Sequence, residues 1–101
     1  MAVTPVSGVN TFITTGGTGV IAIPGNPNGG YITNPLIATD QGIGAVETLY
    51  IDPVGSAAIL HANGTVFALQ PGQTWSVIPG QTTPTYVNAI TAGHKFSAVS
   101  W

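Results

Sequence analysis

The chain contains no cysteine and no arginine, and its charged side chains are four in number: Asp40, Glu47, Asp52 and Lys95. Without thiols, neither a disulfide framework nor a thiolate metal site is available, which suits folding in a reducing cytoplasm. One lysine makes no basic patch, so nothing supports nucleic-acid binding by counterion release. Long apolar runs are missing too. The longest are "VIAI" at 20–23 and "AAIL" at 57–60, far short of the roughly 20 residues that cross a bilayer, so no membrane partner is expected. The opening "MAVTPVSGVN" has neither the basic nor the apolar region of a secretory signal.

Charged residues are 4% of the chain, against roughly 25% in an average soluble domain, while the mean hydropathy is +0.38. The polar surface must therefore consist of Thr, Ser, Asn, Gln and backbone. Net charge normally keeps proteins apart, so a surface this poor in charge is suited to meeting other protein. The 101 residues are enough for one domain that buries roughly 60–70% of its unfolded surface.

Glycine (14) and proline (8) cut the chain into pieces of strand length, and no window sustains a helical period. Turn signals every 8–12 residues or so between β-rich runs predict an all-β fold, an antiparallel sandwich or small barrel of jelly-roll or immunoglobulin-like type. Strands are expected near 9–15, 18–23, 30–38, 46–52, 56–62, 65–70, 74–79, 84–91 and 95–101. Pro35 makes the third of these the least regular. Residues 1–8, broken by Pro5 and Gly8, read as an extended N-terminal arm ahead of a single β domain over 9–101.

Two local features permit finer expectations. Asn63-Gly64 is the preferred pair for a type I′ hairpin. That register would pair Ala62 with Thr65, His61 with Val66, Leu60 with Phe67 and Ala58 with Leu69, placing Ala58, Leu60, Phe67 and Leu69 on the core face and His61 and Val66 on the other. Pro-Gly-Gln occurs twice, at 71–73 and 79–81, and each copy should form a type II turn with glycine at positive φ. The strand between them would direct Trp75 and Val77 to one face and Thr74, Ser76 and Ile78 to the other.

Catalytic chemistry finds little support. His61 and His94 are the only imidazoles, they lie in no nucleophile motif, and their separation matches no metal-ligand spacing. Asp40 in "TDQG" and Asp52 in "IDPVG" occupy turn-initiating positions, and Glu47 falls on an expected strand, so neither a carboxylate pair nor a calcium loop is apparent. "GGTGVIAIPG" lacks the lysine and following helix of a phosphate loop. The aromatics, Trp75 and the terminal Trp101 among them, read as core or interface residues. No enzyme activity, catalytic residue, metal or cofactor is expected.

The runs "GGYITNPLIATDQGI", "ETLYIDPVG", "NGTVFALQPGQTWSVIPGQTTPTYVNA" and "GHKFSAVSW" resemble, in style across residues 30–101, the small charge-poor β proteins of tailed-bacteriophage virions, and most of all the head decoration or cement proteins. The resemblance implies a structural protein made in the host bacterial cytoplasm and bound to the capsid exterior. Its partner would be the major capsid protein, and its state a homo-oligomer, a trimer for preference. A fibre or tail-knob domain that binds a host surface glycan is the alternative.

Overall fold

The computed structural model describes residues 5–101. Eight strands are present among them: β1 (Val6–Ser7), β2 (Val20–Ile23), β3 (Gly30–Thr33), β4 (Leu49–Asp52), β5 (Phe67–Leu69), β6 (Thr74–Ser76), β7 (Thr85–Asn88) and β8 (Ser97–Ser100). One single-turn helix, α1 (Ala38–Gln41), lies between β3 and β4. Two antiparallel sheets form, in the orders β1-β8-β3-β6 and β2-β7-β4-β5.

The order has a simple origin. β1 pairs with β8, β2 with β7, β3 with β6 and β4 with β5, as in one long hairpin, and rolling that hairpin brings β8 against β3 and β7 against β4. This is the arrangement of a jelly roll. The sheets stay open at their edges, so the fold is a sandwich and not a barrel, and its order is not the immunoglobulin one.

Alternation along the strands fills the space between the sheets. Ile32 lies opposite Trp75 and Ala98 in the first sheet, while Leu49 pairs with Leu69 and Ile51 with Val87 in the second. These residues, with Ile13, Ile23, Val77 and Phe96, make one core. Each large aliphatic side chain so buried contributes about 1.5–3 kcal/mol.

Both Pro-Gly-Gln turns form as expected. Gly72 and Gly80 have φ of 86° and 83°, and the Gln73 and Gln81 amides donate to the Gln70 and Ile78 carbonyls at 3.0 and 3.2 Å. Val77 is buried and Trp75 half-buried against the core, while Thr74, Ser76 and Ile78 face outward.

The Asn63-Gly64 hairpin is a correction. Asn63 and Val66 bond each other in both directions, at 3.2 and 3.0 Å, so the turn centres one residue later, on Gly64-Thr65. Residues 56–62 form no strand, and none of the four expected pairs exists. Of the expected core face only Leu69 is buried, whereas Val66, expected outside, is buried at 6% exposure. The cause is Asp52. Its carboxylate accepts hydrogen bonds from the Val54, Gly55 and Ala57 amides and the Thr65 hydroxyl, at 2.8–3.1 Å. Pro53 has no amide to offer, so the chain directly after β4 commits its Val54, Gly55 and Ala57 donors to a side chain and not to a ladder. Ala57 is held at φ 55°, its carbonyl accepting from Asn88 Nδ2 at 2.6 Å. β5 pairs with β4 instead.

Other expected strands are shorter or absent. Over 9–15 there is a single bridge, Phe12 to Lys95, because the chain crosses between sheets here: the Gly8 amide donates to Ala98 of one sheet and the Val9 amide to Ala22 of the other. A side chain on Gly8 would collide with the Ala22 carbonyl oxygen. The strand expected over 30–38 ends at Thr33, and α1, which the sequence pattern does not announce, closes on Gly42 at φ 74°. Of the expected arm, residues 1–4 lie outside the described residues, and Val6–Ser7 form the edge strand on β8. Trp101 is pinned by hydrogen bonds with Asn28 and Gly29.

Gly80 and Gly44 test the turn argument as a pair. A Cβ at either position meets nothing within 4 Å, but only Gly80 has positive φ. Gly80→Ala should lower unfolding stability by about 1–2 kcal/mol through left-handed strain. Gly44→Ala should be neutral or raise it by up to about 1 kcal/mol. Urea midpoints decide, and equal effects would sink the assignment of strain.

Candidate functional site

The titratable residues singled out by sequence separate widely in environment. His61 is exposed on the 56–62 loop. Asp52 is buried and organises that loop. Burial would raise the Asp52 pKa, but its hydrogen bonds from Gly55, Thr65, Ala57 and Val54 outweigh burial and hold the carboxyl below its usual value. Glu47 and His94, distant in sequence, come within 3.7 Å of each other in a buried polar network that sequence spacing does not reveal.

Asn34 is the centre of that network. Its Nδ2 donates to the carbonyls of Glu47 and Leu69, both at 2.9 Å, which directs Oδ1 towards Gln41 Nε2 at 3.1 Å and His94 Nε2 at 2.9 Å. Gln41 in turn bridges the backbone: Nε2 donates to the Pro35 carbonyl at 2.8 Å, and Oε1 accepts from the Glu47 amide at 2.9 Å. The Glu47 carboxylate accepts from the Thr91 amide at 3.2 Å and from the Thr91 hydroxyl. Asn34, Gln41 and His94 are all fully buried. Asn34 and Gln41 thus spend buried polar atoms on the chain itself, as a polar group in a core must.

The hydrogen-bond roles fix the histidine tautomer. Asn34 Oδ1 can only accept, so His94 Nε2 carries the hydrogen. Nδ1 is then the basic nitrogen; it has no hydrogen-bond partner and lies 3.7 Å from Glu47 Oε1. Burial lowers the His94 pKa, and the Glu47 carboxylate pulls it back only in part. His94 is therefore neutral at pH 7.

Above this network lies an open cleft of about 410 Å³, lined by Thr11, Phe12, Thr33, Asp40, Lys95 and Ser97 with neighbouring parts of Pro35 and Phe96. Network and cleft are two faces of the same segments. Thr33 and Pro35 flank Asn34, Asp40 precedes Gln41 and Lys95 follows His94, so alternate residues point in and out. The Lys95 amide donates to the Gln41 carbonyl at 2.7 Å, tying α1 to the approach of β8. Phe12 is the bridge partner of Lys95 and half its surface is exposed.

Of the four charged side chains, Asp52 is buried and Glu47 is bonded inward to Thr91. The other two, Asp40 and Lys95, are exposed and both line this cleft. Among the described residues neither side chain has a hydrogen-bond or ion-pair partner. Among the described residues no group of three or more His, Asp or Glu is placed to hold a metal ion. The histidine cannot serve as a base towards the cleft, since Nε2 is committed and Nδ1 faces Glu47. Asp40 and Lys95 are far apart in sequence; the crossing of 9–15 over the approach of β8 brings them to one cleft with Phe12, and no spacing signals it.

The His94 environment predicts a pH response. The unfolded chain takes up a proton near the ordinary value of 6.5, while the folded chain, with its pKa lowered, does not. Stability should fall as pH drops below 6.5, by at most about 1.4 kcal/mol per pH unit until the folded value is reached. Asp52 acts separately: its contribution is present above 3.8 and is lost only as pH falls below it. Urea unfolding between neutral pH and about pH 5 should show the first slope in the natural chain and a flatter one in His94→Gln, whose amide can still donate to Asn34. Identical slopes in the two proteins would remove the assignment.

Comparison with protein-family models, with curated proteins and with solved structures finds no match for this chain.

Proposed function

We propose that the chain is a non-enzymatic virion structural protein that decorates the outer surface of a bacteriophage head and stabilises the assembled shell. The supporting observation is the outer face of the β1-β8-β3-β6 sheet. Register aligns Ser7, Val99, Tyr31 and Ser76 in one row, and Ser97, Thr33 and Thr74 in the next. No charged residue interrupts these rows. Thr33 and Thr74 satisfy each other at 2.8 Å, so part of the polar surface is already paired and loses little on contact.

Such a face is inexpensive to desolvate. Charges are depleted and aromatics enriched at the centres of protein interfaces, and here Tyr31 stands among hydroxyl groups and Val99. The major capsid protein is the proposed partner. A protein that binds the assembled shell and not its free subunits stabilises it by mass action over many copies. A homotrimer at a three-fold position is the state such symmetry favours. Jelly rolls occur among viral capsid proteins and lectins alike, so the fold permits this reading without carrying it.

Light scattering should return a trimer, and the protein should co-sediment with phage heads prepared without it. Tyr31→Glu and Val99→Glu place a charge in the middle of the face and should weaken shell binding at least tenfold, because an unpaired buried charge costs about 2–5 kcal/mol. Undiminished binding by both folded variants, or no binding by the natural chain, would refute the reading.

A further inference from the structure

We infer that the cleft between Phe12, Asp40 and Lys95 is a binding site for a neutral saccharide. A chain with four charged side chains has turned two inward and set the other two, of opposite sign, around one depression. Their charges sum to zero, which gives phosphate, polyanions and cations no net attraction. Neither is consumed by the protein, so the carboxylate keeps its acceptor sites and the ammonium its three donors.

Hydroxyl-rich ligands match that set. A pair of neighbouring sugar hydroxyls can donate to the two oxygens of Asp40 and accept from Lys95, while Thr11 and Ser97 offer hydroxyls that do either and Thr33, bonded to Thr74, keeps a spare acceptor lone pair. Phe12, half exposed, supplies an apolar ring against which the carbon face of a pyranose can stack. The volume of about 410 Å³ is at the small end of the range of about 300–1,000 Å³ for small-ligand sites.

The floor is rigid where a site needs it. Lys95 is fixed through its amide to Gln41 and through the Phe12 bridge, and the αL turn at Gly42 lies under the Lys95 stem, where an added Cβ would come within 3.2 Å of Cε. Asn34, Gln41 and His94 hold the segments that carry Thr33, Asp40 and Lys95 in place. Supporting groups locked from beneath are what preorganise a recognition surface. The cleft shares Thr33 and Ser97 with the end of the decoration face, but Phe12, Asp40 and Lys95 belong to neither row of that face, so the two readings can be tested apart.

The test is an amide-resolved NMR titration of the full chain with glucose, galactose, mannose, N-acetylglucosamine and lactose, and with inorganic phosphate and a sialylated trisaccharide as charged counterparts. Saturable shifts are expected at Thr11, Phe12, Lys95 and Ser97 with at least one neutral sugar. Phe12→Ala and Asp40→Asn, both at exposed positions and checked for unchanged spectra elsewhere, should each weaken binding about tenfold or more. Both should leave co-sedimentation with heads unchanged. No saturable shift with any neutral sugar, stronger binding of phosphate or the sialylated sugar, or binding untouched in both variants would overturn the proposal. Failure of shell binding alone would strike the decoration reading and leave this one standing.

Discussion

Asn34 is the constraint on which the rest of the molecule depends. It follows the last residue of β3 in one sheet, yet its amide donates to Leu69 of β5 in the other and to Glu47 just ahead of β4. The main chain at Asn34 also receives Gly72 and donates to Gln73, so the first Pro-Gly-Gln turn hangs on the same residue. One buried residue, by side chain and main chain together, thus joins both sheets, a turn and a one-turn helix. Leaving the buried Asn34 oxygen unpaired would cost about 1–3 kcal/mol, and Gln41 and His94 sit beside it with donors that meet it.

Asp52 performs a similar office at another place in the fold, and the comparison is instructive. Both residues follow or end a strand, and both replace ladder partners with side-chain atoms. Asp52 winds the following loop into a knot around its carboxylate, while Asn34 binds distant segments. A chain this poor in charge still uses two of its four charged groups internally, because a carboxylate that accepts several hydrogen bonds holds a loop more tightly than a neutral side chain can. What remains for the surface is one acid and one base, and they share a cleft.

Scarcity of charge also shapes the outside. Short edge strands, of two residues in β1, three in β5 and β6 and four in β2, whose register is broken between Ile21 and Ile23, limit the unpaired backbone available for edge-to-edge association. The open sheet face, in contrast, is broad and free of charge. Short edges with an uncharged face direct association away from random strand pairing and towards a shaped partner, which is the logic of the proposed role.

By itself the sequence determined the class of fold, the two Pro-Gly-Gln corners and the faces of Trp75 and Val77, because these follow from proline's fixed φ, glycine's access to positive φ and the period of two along a strand. The sandwich needs no more than such local rules repeated along the chain. Tertiary structure alone decided the pairing after β4, where four hydrogen bonds to Asp52 overrode the Asn63-Gly64 signal. The same holds for α1 and for the meeting of Asn34, Gln41, Glu47 and His94. The cleft is of this kind too: Phe12 and Lys95 are neighbours only because the rolled hairpin returns the end of the chain to its beginning. Side chains that bond across 44 or 60 residues leave no periodicity to read, since their contact is set by sheet order and not by spacing.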